Sequence, residues 1–172
     1  MPRILGIDPG SLITGFGVID VDGPRCTYVG SGRIKTAQGA FNERLQVIYE
    51  GVCGLLDEYM PHEFAIESVF VHRNANSALK LGHARAAAIC ATFGHGLAFA
   101  EYAPREIKLA VVGTGDADKT QVQNMVMRLL ELDAEPQADT ADALAIALCH
   151  AHQRGTRAAT GLPTGRRRGR AR

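Results

Sequence analysis

The apolar periodicity of this chain changes character once, near residue 40, and that change limits the folds open to it more than any other feature. Before it, residues 3–8, 14–21 and 26–35 form strand-like runs of β-branched, aromatic and glycine residues, and Gly23-Pro24 separates the second run from the third as a turn. The three are read as strands in hairpin order. After it, helix and strand alternate. Phe41, Leu45, Ile48, Val52, Leu55, Leu56 and Tyr59 recur at three- and four-residue spacing, which predicts an amphipathic helix over 41–59 stopped by Pro61. Residues 63–69 alternate like a strand. Residues 75–93, with Leu79, Gly82, Ala86, Ile89, Cys90 and Phe93, mark a second helix, and 97–103 a fifth strand. Pro104 suits the first turn of a short helix reaching Val112. Asp118-Lys119-Thr120-Gln121 has capping-box spacing and opens a helix whose Val122, Met125, Val126, Leu129 and Leu130 share a face. Pro136 breaks the chain, and an alanine-rich helix follows over 139–153. This order predicts a mixed α/β domain with one five-stranded central sheet flanked by helices. The first strand lies centrally and the strand at 63–69 pairs beside it.

The 172 residues suit one domain with a sizeable core. No stretch approaches the ~18 uninterrupted apolar residues of a membrane span. The N-terminus runs straight into the first strand without the features of a secretory signal. Cys26, Cys53, Cys90 and Cys149 are widely spaced in apolar or strand-like settings, as expected of small buried side chains in a reducing, cytoplasmic compartment. Cys149-His150-Ala151-His152 is the only metal-like spacing; without a second cysteine pair it reads as the end of a helix rather than a zinc site. Seven of the 19 Lys and Arg residues lie in 154–172, with none of the 18 acids, so the body is −6 and the tail +7. The expected organisation is therefore one folded domain over 1–153 and a disordered Arg-rich tail over 154–172. An acidic body with a basic arm is not a simple electrostatic DNA binder, unless several of the acids hold metal ions.

Three constellations carry chemistry. Asp8-Pro9-Gly10-Ser11, followed by Thr14-Gly15-Phe16-Gly17, puts a carboxylate at the end of an apolar strand with little bulk over it, so that a phosphate chain could approach the backbone; the plain alternative is a hairpin turn. Glu67 interrupts the apolar run Ala65-Ile66-Glu67-Ser68-Val69-Phe70, where an unpaired charge is disfavoured without a partner or a metal; the alternative is a strand end reaching water. Asp139 and Asp142 are i and i+3 on one helix face. Capping accounts for Asp139, but less well for Asp142, which faces into the alanine-rich helix. Asp8 and Glu67, at adjacent strand ends, would share a crevice at the end of the sheet. Four carboxylates there repel one another unless cations intervene, and hard oxygen ligands suit Mg²⁺ or Mn²⁺.

These blocks resemble the RuvC family of Holliday junction resolvases. The resemblance rests on Gly6-Ile7-Asp8-Pro9-Gly10 with Thr14-Gly15-Phe16-Gly17, on Ile66-Glu67-Ser68-Val69-Phe70, on the run Asn74–Gly82, and on Gln137–Ala145, in family order over about residues 3–152. It implies an RNase H-like fold, a homodimer, and paired symmetric nicks in strands of like polarity at a four-way DNA junction. It implies hydrolysis with two Mg²⁺ per site (Mn²⁺ substituting), ligated and made catalytic by Asp8, Glu67, Asp139 and Asp142. It also implies work in recombination and repair beside the RuvA–RuvB branch-migration motor. Some family members carry histidine at the position of Asp139. By the same resemblance Lys108 and Lys119 lie near the scissile phosphate, and Phe70, Arg73, Asn74 and Asn76 are candidate DNA contacts; Phe70 could stack on an unpaired base or belong to the core. Lys80 and Arg85 are expected to face solvent. The helix at 75–93, with its small residues, is the candidate dimer face, packing within one subunit being the alternative. The tail departs from the family's short ending and could add phosphate contacts or merely solubilise.

Two other functions can be weighed. An ATP-handling domain of the actin and sugar-kinase type also opens with strand, aspartate and glycines, but needs a second lobe. A noncatalytic junction-binding module would not need an intact acidic tetrad. Gly113–Thr120 approximates a phosphate-binding P-loop, but Asp118 stands where glycine must precede the lysine, and a capped helix start fits better.

Overall fold

Ile4, Leu5 and Ile7 are all fully buried, so both faces of the first strand are covered and it must lie inside a layered sheet. The computed structural model describes residues 1–36, 39–68 and 74–160, without the side chains of 156–160. In chain order the elements are β1 (Arg3–Asp8), β2 (Ile13–Asp22), β3 (Arg25–Lys35), α1 (Phe41–Tyr59), β4 (Glu63–Glu67), α2 (Ala75–Cys90), β5 (Ala98–Tyr102), α3 (Pro104–Val112), α4 (Lys119–Leu129) and α5 (Ala138–Thr160). The sheet order is β3-β2-β1-β4-β5, with β1 at the centre. β1–β2 and β2–β3 are antiparallel; β1–β4 and β4–β5 are parallel. This is the five-stranded mixed sheet expected, in an RNase H-like arrangement.

Strand alternation divides the core in two. Ile4, Ile19, Ala65 and Tyr102 point to the layer of α3, α4 and α5, whereas Leu5, Ile7, Val18, Phe64 and Ile66 point to α1 and α2. α5 can lie almost on the backbone of the sheet because Gly6 and Gly17, paired across β1 and β2, leave a shallow trough. A Cβ on Gly6 would collide with the Ala143 carbonyl oxygen, and one on Gly17 would come within 2.7 Å of Leu144 Cδ2. The alanines of α5 thus serve close helix–sheet packing, and residues 143–149 are fully or almost fully buried.

Local signals set most of the boundaries. Met60 adopts a left-handed conformation (φ 46°) and its N–H returns to the Leu56 carbonyl, so α1 ends at Tyr59, two residues before Pro61. Asp118 Oδ1 accepts from the Gln121 amide at 2.8 Å and Gln121 Oε1 accepts from the Asp118 amide at 2.9 Å, the reciprocal cap anticipated. Three expectations are corrected. α2 stops at Cys90 rather than 93, in a turn that leads to Gly94 at φ 88°. Leu129 of α4 is exposed while Leu130 is buried. α5 continues past residue 153 to Thr160, because no proline interrupts it before Gly161-Leu162-Pro163. Residues 161–172 lie outside the described residues. Among the cysteines Cys149 is buried, but Cys90 is exposed.

Candidate active site

The register of the sheet brings the first two acids together. Asp8 ends β1 and Glu67 ends β4; Ile7 pairs with Ile66, so the next rung sets Glu67 beside Asp8. Asp8 also pairs with Gly15 of β2, and Gly15 pairs with Arg33 of β3. Directly paired residues share a face. Glu67, Asp8, Gly15 and Arg33 therefore form one row across four strands, on the face covered by α5. The first turn of α5 lies over that row: a Cβ on Gly15 would collide with the Asp139 carbonyl oxygen. Gly15 is thus bare so that the helix can approach, which corrects the expectation that this glycine clears a path for phosphate. Asp139 and Asp142 hang from consecutive turns of α5 above Asp8.

The strand-to-strand loop after Asp8 is held from within. The buried Thr14 hydroxyl donates to the Gly10 carbonyl at 2.9 Å, and a Cβ on Gly10 would collide with the Ile13 carbonyl oxygen. On the other side Arg85 Nε donates to the Glu67 carbonyl at 3.1 Å, and its guanidinium also pairs with Glu101. Arg85 thus anchors the backbone of a site acid from α2 and does not simply face solvent, as had been expected of it.

The electrostatics show the acids acting on one another. Asp8 is pushed up to about 8, first by burial and then by the negative charges of Glu67, Asp142 and Asp139. Glu67 is pushed up to about 6 by burial and by Asp142, against the pull of Lys119 and Lys108. Asp142 is raised by burial, with Lys119 opposing; the Lys119 ammonium lies 3.6 Å from Asp142 Oδ2. Arg33 lies 3.7 Å from Asp139 Oδ2. Lys108 of α3 and Lys119 at the start of α4 therefore border the acids.

The donor set is all carboxylate oxygen, which suits a hard divalent cation. Among the described residues no three His, Cys, Asp or Glu side chains stand close enough to cage an ion unaided. That still fits Mg²⁺, which typically takes one or two carboxylates and completes its shell with water and substrate phosphate. The residues present thus fit a cation shared with DNA.

Of the other predicted contacts, Asn74 caps α2, its Oδ1 accepting from the Asn76 and Ser77 amides at 3.0 and 3.2 Å, and Asn76 is exposed in the first turn. Both sit on the connection that leaves β4. Phe70 and Arg73 fall outside the described residues. The zinc alternative at the end of α5 finds no support: His150 Nε2 lies 2.6 Å from Glu63 Oε2, and His150 Nδ1 lies 2.7 Å from the Tyr102 hydroxyl, all within the core. A groove of about 620 Å³ lies between β3 and the α4–α5 connection, and none of the four site acids lines it. Its lining includes Glu131, Asp133 and Glu135, which repel phosphate. The acid row, open at the sheet end, is the better seat for a polymeric substrate.

Sequence reading missed Arg33, and it named Thr14 and Arg85 without the contacts that they make here. The Arg33 contact depends on an irregularity. Near the turn the hairpin pairs Ile19 with Tyr28, but beyond it pairs Val18 with Gly30, so one residue of β3 is skipped. Counting back from Gly23-Pro24 without that bulge would set Gly32 opposite Gly15 and turn Arg33 to the other face.

Known proteins resemble this chain in sequence and in fold. The family profile described as crossover junction endodeoxyribonuclease RuvC matches residues 4–150. A relative of that description from Shewanella frigidimarina is 57% identical over 152 residues, 88% of each chain. One from Pseudomonas putida is 54% identical over 169 residues, 98% of this chain and 97% of the relative. The solved structure of Thermus thermophilus RuvC in complex with Holliday junction substrate superposes with a TM-score of 0.85 at 34% identity, covering 91% of this chain and 96% of that one.

Proposed function

The chain belongs to the RuvC family of crossover junction endodeoxyribonucleases, and from that premise we propose how its residues divide the work. It is a Holliday junction resolvase, an endonuclease that hydrolyses phosphodiester bonds in four-way DNA and depends on divalent metal. The observation that carries the assignment of its site is the row of Glu67 and Asp8 under the first turn of α5, with Asp139 and Asp142 above.

Asp8, Glu67, Asp139 and Asp142 hold two Mg²⁺, for which Mn²⁺ substitutes. Such ions, when bound, activate water and stabilise the leaving 3′ oxygen. Asp8 and Glu67, fixed at strand ends, set the floor of the site, while Asp139 and Asp142 close it from the helix. Lys108 and Lys119 supply positive charge on the rim and draw the scissile phosphate over the acids. Asn74 and Asn76, with Phe70 and Arg73, contact DNA from the β4–α2 side.

The active form is a homodimer with α2 at its interface, so that two sites related by a two-fold axis cut strands of like polarity symmetrically. The helix offers Leu79, 60% exposed, and Phe93 just beyond it, 70% exposed. The Arg-rich C-terminal segment adds phosphate contacts to those of the nuclease domain. A RuvA–RuvB-type motor delivers the junction.

The test is a four-way junction labelled on each strand in turn. Wild type with Mg²⁺ should give paired nicks at symmetric positions whose products DNA ligase reseals directly. Nicks on strands of opposite polarity, or ends that ligase cannot join, would refute the reading.

A further inference from the structure

One basic side chain at the site has no role in the division above. Arg33 stands at the end of the row Glu67–Asp8–Gly15–Arg33, beside the bare Gly15 and on the face that α5 covers. Two strand spacings, ~10 Å, separate it from Asp8. Asp139 lies between them, above Gly15, and its Oδ2 is 3.7 Å from Arg33 Nη1. Three features hold Arg33 in place. The β-bulge between Val18 and Ile19 turns it to this face. Its side chain is only 22% exposed, against 81% for Lys119. The Thr140 hydroxyl, next to Asp139, also reaches back to the β3 backbone at Gly32. A half-buried arginine on a strand differs from the exposed Lys119, and its planar fork is suited to one carboxylate or one phosphate in a set direction.

We propose that Arg33 is a positioning residue for Asp139, holding that carboxylate as its counter-ion in the free enzyme and opposing cation loading on the α5 side of the site. The inference rests on the metal-site reading above. A divalent cation that uses Asp139 must share the carboxylate with the guanidinium and sit near a like charge. A DNA phosphate gives the guanidinium another anion and releases Asp139. Metal loading is thereby coupled to the presence of substrate, a coupling the four acids alone do not supply.

The test is Mn²⁺ binding by the full-length protein without DNA, followed by the rise in thermal midpoint with Mn²⁺ concentration and by calorimetry. Arg33→Met should bind Mn²⁺ about 3- to 10-fold more tightly than wild type at low salt, the gain shrinking as salt screens the charge. Arg33→Lys, which keeps the charge and loses the fork, should lie between the two. In an Asp139→Asn background Arg33→Met should change Mn²⁺ affinity by less than about 2-fold, since the effect runs through Asp139. Circular dichroism confirms that each variant is folded, and Arg33→Lys keeps the test open should Arg33→Met fail to fold. Unchanged or weaker Mn²⁺ binding by the folded Arg33 variants would overturn the inference and leave the metal site standing. An undiminished gain in the Asp139→Asn background would also overturn it. No saturable Mn²⁺ binding by wild type would overturn the metal-site reading, and this inference with it.

Discussion

Asp8 is where two demands conflict: burial among acids favours its proton, and the proposed metal chemistry needs its charge. Its carboxyl is pushed up to about 8 by burial and by Glu67, Asp142 and Asp139. Because the folded state holds this proton to higher pH than the unfolded chain does, stability present below the ordinary carboxylate range is lost as pH rises through that value. Asp8→Asn removes the conflict. In chelator its stability, followed through the thermal midpoint, should exceed that of wild type by an amount that grows from about pH 5 to about pH 9, reaching roughly 1–3 kcal/mol. Added Mn²⁺ should raise wild type and not the variant; parallel pH profiles in chelator would contradict this. Glu63 shows the opposite sign. Burial pushes it up, but His150 and Arg154 outweigh burial and hold it below its usual range, so its contribution is lost as pH falls. Glu63→Ala should cost about 3 kcal/mol by stranding His150 in the core, and should leave cleavage by the folded fraction intact, since Glu63 is at the far end of β4 from Glu67. The acids were legible from sequence because charge stood out where apolar residues were expected. Glu63 and His150 were not, since a satisfied buried pair leaves no mark on periodicity.

At the scale of elements, α5 is both the core of the domain and the upper half of the site. Gly6, Gly15 and Gly17 set its height above the sheet. Gly15→Ala should displace the first turn of α5, costing about 1–3 kcal/mol and lowering kcat more than junction affinity, because it moves Asp139. A variant with wild-type kcat would show that the helix can shift without moving the acid. Asp118→Ala removes the cap of α4 and should cost about 1 kcal/mol, measured by denaturant unfolding. Helix starts and most strands were legible because each has a local cause: spacing, a cap, a proline. The purpose of the glycines was not, because it lies in contact with a helix more than a hundred residues away. The bulge in β3 was hidden for a related reason: one skipped residue reverses which side chains face the site.

At the scale of the molecule, residues 1–153 carry a net charge of −6, so the proposed binding of a polyanion rests on a cation-holding cleft, a few rim lysines and the basic C-terminal segment. Residues 161–172 hold five arginines and no acid. Their deletion should spare cleavage at low salt but reduce the slope of log affinity against log salt by up to ~0.9 for each phosphate that the segment neutralises. An unchanged slope would deny the segment a part in binding. The topology was legible as a whole, hairpin first and alternation after, because few arrangements satisfy that order. The extent of α5 was not, since the apolar period fades near residue 153 and Gly155 reads as a stop that the helix runs through. The central claim is that Asp8, Glu67, Asp139 and Asp142 act as one metal-dependent site on junction DNA. It is tested most directly by single-turnover cleavage of a four-way junction by wild type and by Asp8→Asn, Glu67→Gln, Asp139→Asn and Asp142→Asn, with junction binding measured in parallel. Each variant should still bind the junction while cleaving it slower by ~10³-fold or more, and wild type should be inert in excess chelator. Cleavage near the wild-type rate by any one variant, or by wild type in chelator, would contradict the account.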